Sequence, residues 1–256
     1  MRFCLLASGS KGNATYIEEN GAAILIDNGL SLVQLQGRAK SAGLELSKLK
    51  AVFITHEHGD HVKGVGPLAR KYSLKVYASP GTMMAANGTL GRVDYEPIAS
   101  GETVVAGSLK VSSFSSSHDA TEPLIYVVKG PGASLGVAMD LGVVTHLIRQ
   151  QFLNLTAAVI EFNHDLGMLI NGPYHYVLKQ RVRSRVGHLS NEDASVFLTE
   201  ILHQGLKHVV LGHISETNNL PELALQAARE ALAKARRGSP SLCAASQWEP
   251  TPVFQL

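Results

Sequence analysis

The sequence predicts an α/β domain in which sheets pack face to face with helices outside. Three observations predict it. Strand-like and helix-like segments alternate in the first part of the chain, a β-rich stretch follows, and three helical segments come near the end, with a strand between the last two. No low-complexity tract and no linker rich in Pro, Gly or Ser divides the chain, so one domain over 1–256 is expected.

In order, residues 3–7, 14–18 and 22–27 read as short strands joined by turns at 8–13 and 20–21. Residues 31–42 read as a helix ended by Gly43. A strand at 51–55, rich in β-branched and aromatic residues, leads to a helix at 62–72 and a strand at 74–77. Strands at 102–106, 110–115, 123–128 and 134–139, separated by Gly and Pro turns, have the look of hairpins. A strand at 156–162 precedes helices at 174–185, 191–204 and 221–237, with a strand at 208–211 and an edge strand near 252–255.

An apolar fraction of 45% suits a globular protein with a full core. A net charge of +2 does not by itself imply nucleic acid, nor does it exclude a local basic patch. Cys4 and Cys243 are expected as free thiols of a reducing compartment. The opening MRFCLLASGS lacks the long apolar stretch of a signal peptide, and no segment approaches a membrane span, so a cytoplasmic protein without membrane contact is expected.

Eleven histidines are many for this length. The densest run is Thr55-His56-Glu57-His58-Gly59-Asp60-His61, after a buried strand and before a helix. Histidines two apart on extended backbone point the same way, so His56 and His58 can share one metal. Asp60 and His61 come as the chain turns and can face a second. A polar capping loop is the plainer account, but three imidazoles and a carboxylate crowded together are costly to bury without a cation. Further candidates stand at strand ends: His118, Asp140 and His213. Each alone is an ordinary turn residue; with the first cluster they supply two imidazole-rich sites and a carboxylate to bridge them.

The ordered set His56, His58, Asp60, His61, His118, Asp140 and His213 resembles the full ligand series of the metallo-β-lactamase superfamily. The resemblance implies a four-layer αββα sandwich and two divalent metal ions, with zinc, manganese or iron all suited to these donors. It implies that His56, His58 and His118 hold one ion and Asp60, His61 and His213 the other, bridged by Asp140. A metal-bridging hydroxide would be the nucleophile. Asp27 resembles the family's orienting aspartate. A homodimer is compatible with the superfamily.

Two further segments narrow the branch. Glu161-Phe162-Asn163-His164-Asp165 and Gly187-His188-Leu189-Ser190-Asn191 resemble a pair that serves proton transfer in nucleases related to tRNA 3′-processing enzymes. By that match Glu161 and His188 are catalytic, a carboxylate-polarised imidazole able to protonate a leaving sugar oxygen. Asn163, His164, Asp165, Ser190 and Asn191 would touch substrate or join that network, and Ser190 also suits a helix N-cap, with Asp193 three residues on. The run Lys179-Gln180-Arg181-Val182-Arg183-Ser184-Arg185 puts four cations just before His188, and Arg181 and Arg185 share a face if it is helical. The turn at 8–13 is either a phosphate-binding loop or a tight hairpin.

Leu6-Ala7-Ser8-Gly9-Ser10-Lys11-Gly12-Asn13-Ala14, Thr55–His61, Ser117-His118-Asp119-Ala120, Asn163-His164-Asp165, Gly187–Glu192 and Leu211–Asn219 resemble the YycJ/WalJ-type group, associated with 5′-3′ exonuclease action on DNA. The expected function is therefore metal-dependent phosphodiester hydrolysis. Two other readings stay open: an acyl hydrolase (thioester, lactone or β-lactam) on the same metals with a more apolar pocket, and a metal-stabilised binding module without catalysis.

Overall fold

The computed structural model describes residues 1–256. In chain order the elements are β1 (Arg2–Ala7), β2 (Ala14–Glu19), β3 (Ala22–Ile26), α1 (Leu32–Ser41), β4 (Leu49–Phe53), α2 (Gly59–Val62), α3 (Val65–Tyr72), β5 (Lys75–Ala78), α4 (Pro80–Leu90) and β6 (Asp94–Pro97). They continue with β7 (Thr103–Ala106), β8 (Leu109–Ser115), β9 (Leu124–Lys129), β10 (Ser134–Ala138), α5 (His146–Phe152), β11 (Ala157–Glu161), α6 (Leu166–Asn171) and α7 (Tyr176–Val182). The last are α8 (Asn191–Ile201), β12 (His208–Gly212), α9 (Pro221–Ala235), β13 (Ser241–Ala244) and β14 (Phe254–Gln255). The strands form two mixed sheets, ordered β14-β1-β2-β3-β4-β5-β6 and β13-β12-β11-β10-β9-β8-β7. The expected α/β class is observed. No helix is long and apolar enough to cross a membrane.

The chain divides into two compact units. The first comprises Met1–Ser115, Ala120–Ser134 and Ser246–Leu256. Its strands β1 and β3 are buried almost throughout, which is why they read as continuous apolar runs. β8 alternates between buried and open positions, as a strand with one covered face must. Ser31 caps α1 through a capping box with Gln34. From β3 to β6 the pairing is parallel, so connections return over helices and the strand ends that follow β3 and β4 lie on one edge.

The second unit comprises Ser116–Asp119 and Leu135–Ala245. Strands β10, β11, β12 and β13 pair in parallel, and β11 is buried along its whole length. The segment 134–139, expected as a strand, is β10 and pairs in parallel with β11. The helix expected over 174–185 is shorter. His175 caps α7, and after Val182 the chain turns, with Gly187 N–H donating to Ser184 and His188 N–H to Val182. A Cβ at Gly187 would meet the Val182 oxygen at 2.2 Å, so this turn closes only on glycine. Helices α4, α5 and α6 have no sequence-derived counterpart, although Ser79 with Pro80, and Asp165, supply ordinary N-terminal caps.

Cys4 is buried, and the two cysteines are thiols rather than a disulfide, as expected. Away from any candidate site, Glu18 takes hydrogen bonds from Arg2 (2.7 Å), Tyr16 (2.9 Å) and Lys48 (3.3 Å) in the first unit. Burial alone would raise its pKa, but those hydrogen bonds outweigh burial and hold it below the ordinary 4.5. A depressed folded-state pKa gives stability that is complete above the unfolded value and is lost as pH falls through the folded one. Glu18→Gln should therefore reduce stability at neutral pH by about 1–3 kcal/mol. It should also flatten the loss below pH 4.5. Urea titrations at several pH values check this, and identical acid limbs in both proteins would contradict it.

Candidate metal centre and active site

In the first unit the centre grows from the ends of β3 and β4. Asp27 follows β3 with a left-handed φ of 60°, a conformation held only where surrounding contacts fix it. Its carboxylate is fully buried and accepts from Thr55 N–H, Thr55 hydroxyl and His61 Nδ1, each at 2.8 Å. A buried carboxylate can only accept, so His61 carries its proton on Nδ1 and presents the Nε2 lone pair. Thr55, having given its proton to Asp27, accepts from His56 Nδ1 at 2.9 Å, which leaves His56 Nε2 bare as well. Gly29 makes the approach feasible: a Cβ there would sit 1.7 Å from the Asp60 carbonyl oxygen.

The exposed lone pairs converge. His56 Nε2 lies 3.0 Å from His58 Nδ1, and His61 Nε2 lies 3.5 Å from an Asp60 oxygen. Two donors on one tetrahedral cation, bonded at 2.0–2.1 Å, stand about 3.4 Å apart. These pairs fit a divalent metal in spacing and in donor type. Asn13, which sequence reasoning passed over as a turn residue, donates from Nδ2 toward Asp60 (3.2 Å) and His61 Nε2 (2.9 Å). In the loop at 8–13 five N–H groups bond within the protein: Ser8 to Ser246, Gly9 to Asn13, Lys11 to Gln247, Gly12 to Gly9 and Asn13 to Asp60.

In the second unit the centre gathers at the ends of β10, β11 and β12. Asp140 and His213, like Asp27, have positive φ, at 56° and 51°. Asp140, Glu161, His188 and His213 each offer a ligand-type atom within 4.8 Å of the others. Glu161 is fully buried and takes four hydrogen bonds: Leu141 N–H (2.9 Å) and Leu189 N–H (3.1 Å) on one oxygen, His188 Nδ1 (2.7 Å) and His213 Nδ1 (3.1 Å) on the other. Burial alone would raise its pKa, but the charge and hydrogen bond of His188, with the bond from His213, hold it below the ordinary carboxylate range. Burial pulls the His188 pKa down, and Glu161 more than restores it, so the net direction is up.

Glu161 therefore serves two histidines. It turns His213 Nε2 toward Asp140 Oδ1, 3.6 Å away, and His118 Nε2 lies 3.9 Å from the same oxygen, again near the spacing of shared ligands. His188 has its Nδ1 tied to Glu161 and stacks on His213 at a centroid separation of 5.2 Å. Gly142 seats the segment that carries His188: a Cβ there would meet Arg185 backbone at 2.3 Å.

The other expected site residues fall into two groups. Asn163 donates to the His213 carbonyl, Asp165 caps α6, Ser190 caps α8, and Asn191 exchanges hydrogen bonds with Asn219. All four side chains hold the scaffold, and Asn219 is a further buttress that sequence reasoning did not single out. Arg181 is paired with Asp119 at 2.5 Å, so its charge is balanced. Arg185 lines a cavity of about 200 Å³ with Arg183, Asp193, Leu189, Phe197 and Arg149, the last paired with Glu200 at 2.6 Å. His164 is 1% exposed, has no hydrogen-bond partner on either ring nitrogen, and is pushed by burial to a pKa of about 4. It is a neutral imidazole whose polar atoms the protein itself leaves unsatisfied.

Asp27 acts on the metal donors through Thr55 and His61. Asp27→Asn should weaken divalent metal binding about 10- to 100-fold. Chelator competition monitored by metal analysis measures this, and an unchanged affinity would show that the carboxylate does not set the donor atoms.

The model of the "Beta-lactamase superfamily domain" matches residues 22–214. Exodeoxyribonuclease YycJ of Bacillus anthracis is 37% identical over 235 residues, covering 91% of this chain and 89% of that protein. Exodeoxyribonuclease WalJ of Streptococcus pneumoniae serotype 2 is 37% identical over 242 residues, covering 93% and 90%. Among solved structures, the metallo-β-lactamase fold protein YhfI of Bacillus subtilis aligns over 98% of both chains with a TM-score of 0.74 at 13% identity, a likeness of fold. The donor clusters at the strand ends and these matches converge: the chain belongs to the metallo-β-lactamase-fold superfamily and is a metal-dependent hydrolase.

Proposed function

We propose that the protein is a dinuclear phosphodiesterase that degrades DNA from the 5′ end. The observation that carries this is the His188–Glu161 pair beside Asp140, a proton-handling device set among metal donors. Two relatives named exodeoxyribonuclease, alike over nine-tenths of the chain, support DNA as the substrate. The charge of Arg183 and Arg185, which line a cavity together with Asp193, supports a phosphate-bearing substrate.

By the family's ligand order, His56, His58 and His118 would hold one divalent ion and Asp60, His61 and His213 the other, with Asp140 between them. When bound, such ions supply Lewis acidity, neutralising phosphoryl oxygens and making an attacking water more acidic. The chain's own residues do the rest. Glu161 pins His188 through Nδ1, which leaves Nε2 as the atom that passes a proton to the departing sugar oxygen. Arg183 and Arg185 give positive charge for backbone phosphates.

End-labelled DNA, a thioester and a chromogenic β-lactam, each offered to manganese- or zinc-loaded protein, test the assignment. Nucleotide release from the 5′ end that disappears in Asp60→Ala is expected. Acyl cleavage with silence on DNA would overturn it. His188→Ala should lower kcat on DNA about 10²- to 10⁴-fold with metal content unchanged, and an undiminished kcat would remove His188 as the proton donor.

A further inference from the structure

Trp248 is the one tryptophan of the chain, and it is 58% exposed. A large aromatic normally contributes most when its surface is buried, so an indole held in water calls for a reason. It is not on a loose tail. The preceding Gln247 is 6% exposed and clamps the loop at 8–13, accepting from Lys11 N–H (2.7 Å) and donating to the Gly12 carbonyl (3.1 Å). Arg38 holds the Gln247 carbonyl at 2.9 Å, and Trp248 N–H is tied to Ser246 Oγ at 3.0 Å. The ring therefore projects from an ordered base.

One cation lies over it and a second is tied to the same loop. Lys11 Nζ stands 4.5 Å from the centroid of the Trp248 ring, and Lys63 Nζ holds the Lys11 carbonyl at 2.7 Å. The loop that Gln247 clamps also touches a metal donor, because Asn13 donates to the Asp60 carbonyl through N–H (2.8 Å) and to its carboxylate through Nδ2 (3.2 Å). All of this lies within the first unit, so the ring and the donor share one hydrogen-bonded loop.

We propose that Trp248, with Lys11 on its face, is a stacking platform for an unpaired nucleobase of the substrate strand close to the metal centre. An open indole surface matches the π-face that every base presents, whatever the sequence. The neighbouring ammonium groups suit the phosphate attached to such a base. Five backbone N–H groups of the loop, those of Ser8, Gly9, Lys11, Gly12 and Asn13, are engaged within the protein, so what it offers is chiefly a ring and cationic side chains. Inside a duplex both faces of a base are already covered by its neighbours, so the platform favours single-stranded ends over duplex. This inference rests on the nucleic-acid assignment above and adds where and how the strand is gripped.

With one tryptophan, emission reports on this site alone. Metal-loaded full-length protein is titrated with a phosphorothioate thymidine oligonucleotide, which resists cleavage, and with an abasic strand of the same length. Saturable quenching by the thymidine strand, and little by the abasic one, is expected. Trp248→Ala should raise KM for a cleavable single strand about tenfold, acting on KM more than on kcat, with Trp248→Phe recovering most of the loss. Equal quenching by both strands, or DNA cleavage by Trp248→Ala with KM within about twofold of the parent, would overturn the platform while leaving the nuclease assignment standing. Absence of DNA cleavage by the parent protein would overturn that assignment and the platform with it.

Discussion

A histidine can hold a cation only through a bare nitrogen, and two buried carboxylates decide which nitrogen that is. Asp27 accepts from His61 and, through Thr55, settles His56; Glu161 accepts from His213 and His188. Neither carboxylate is exposed, and each is surrounded by donors. Burying such charges unpaired would be prohibitive, so the fold must bring those donors to them. In doing so it aims the opposite ring nitrogens at one another and at Asp60 and Asp140. What looks like a crowded polar interior is an arrangement of acceptors that leaves a set of lone pairs with no proton.

The backbone bears the strain of this arrangement. Asp27, Asp140 and His213 all sit just beyond parallel strands in left-handed conformation, a geometry that costs about 1–3 kcal/mol per residue. Parallel strands deliver their loops to one edge, and open α/β sheets place ligands there. The sharp turn at each strand end points a short polar side chain back across that edge. Gly29 and Gly142 complete the arrangement by letting backbone segments pass where a methyl group has no room.

Much of this was legible in the sequence, for physical reasons. Ligand types clustered as in Thr55–His61 have few structural explanations, and strands β1, β3 and β11 show themselves as apolar runs because both faces are covered. Other features were hidden. The short helices α4, α5 and α6 lack a long apolar stripe, so only their caps betray them. Asn163 and Asn191 look alike whether they face substrate or scaffold, and the scaffold partners they have lie 50 and 28 residues away, out of reach of a local reading. Arg181 and Arg185 share a helical period in the sequence, but the turn after Val182 separates them, leaving one paired with Asp119 and the other lining a cavity. Asn13 and Gln247 lie 234 residues apart, and only the folded chain joins them at one loop.

The most direct test of the carboxylate-set donors is long-range ¹⁵N–¹H NMR of the histidine rings during zinc titration. Metal-free protein should already show His61 and His213 protonated on Nδ1, and zinc should perturb their Nε2 resonances, with saturation at two equivalents. His61 or His213 protonated on Nε2 in the metal-free protein, or Nε2 resonances indifferent to zinc, would contradict the account.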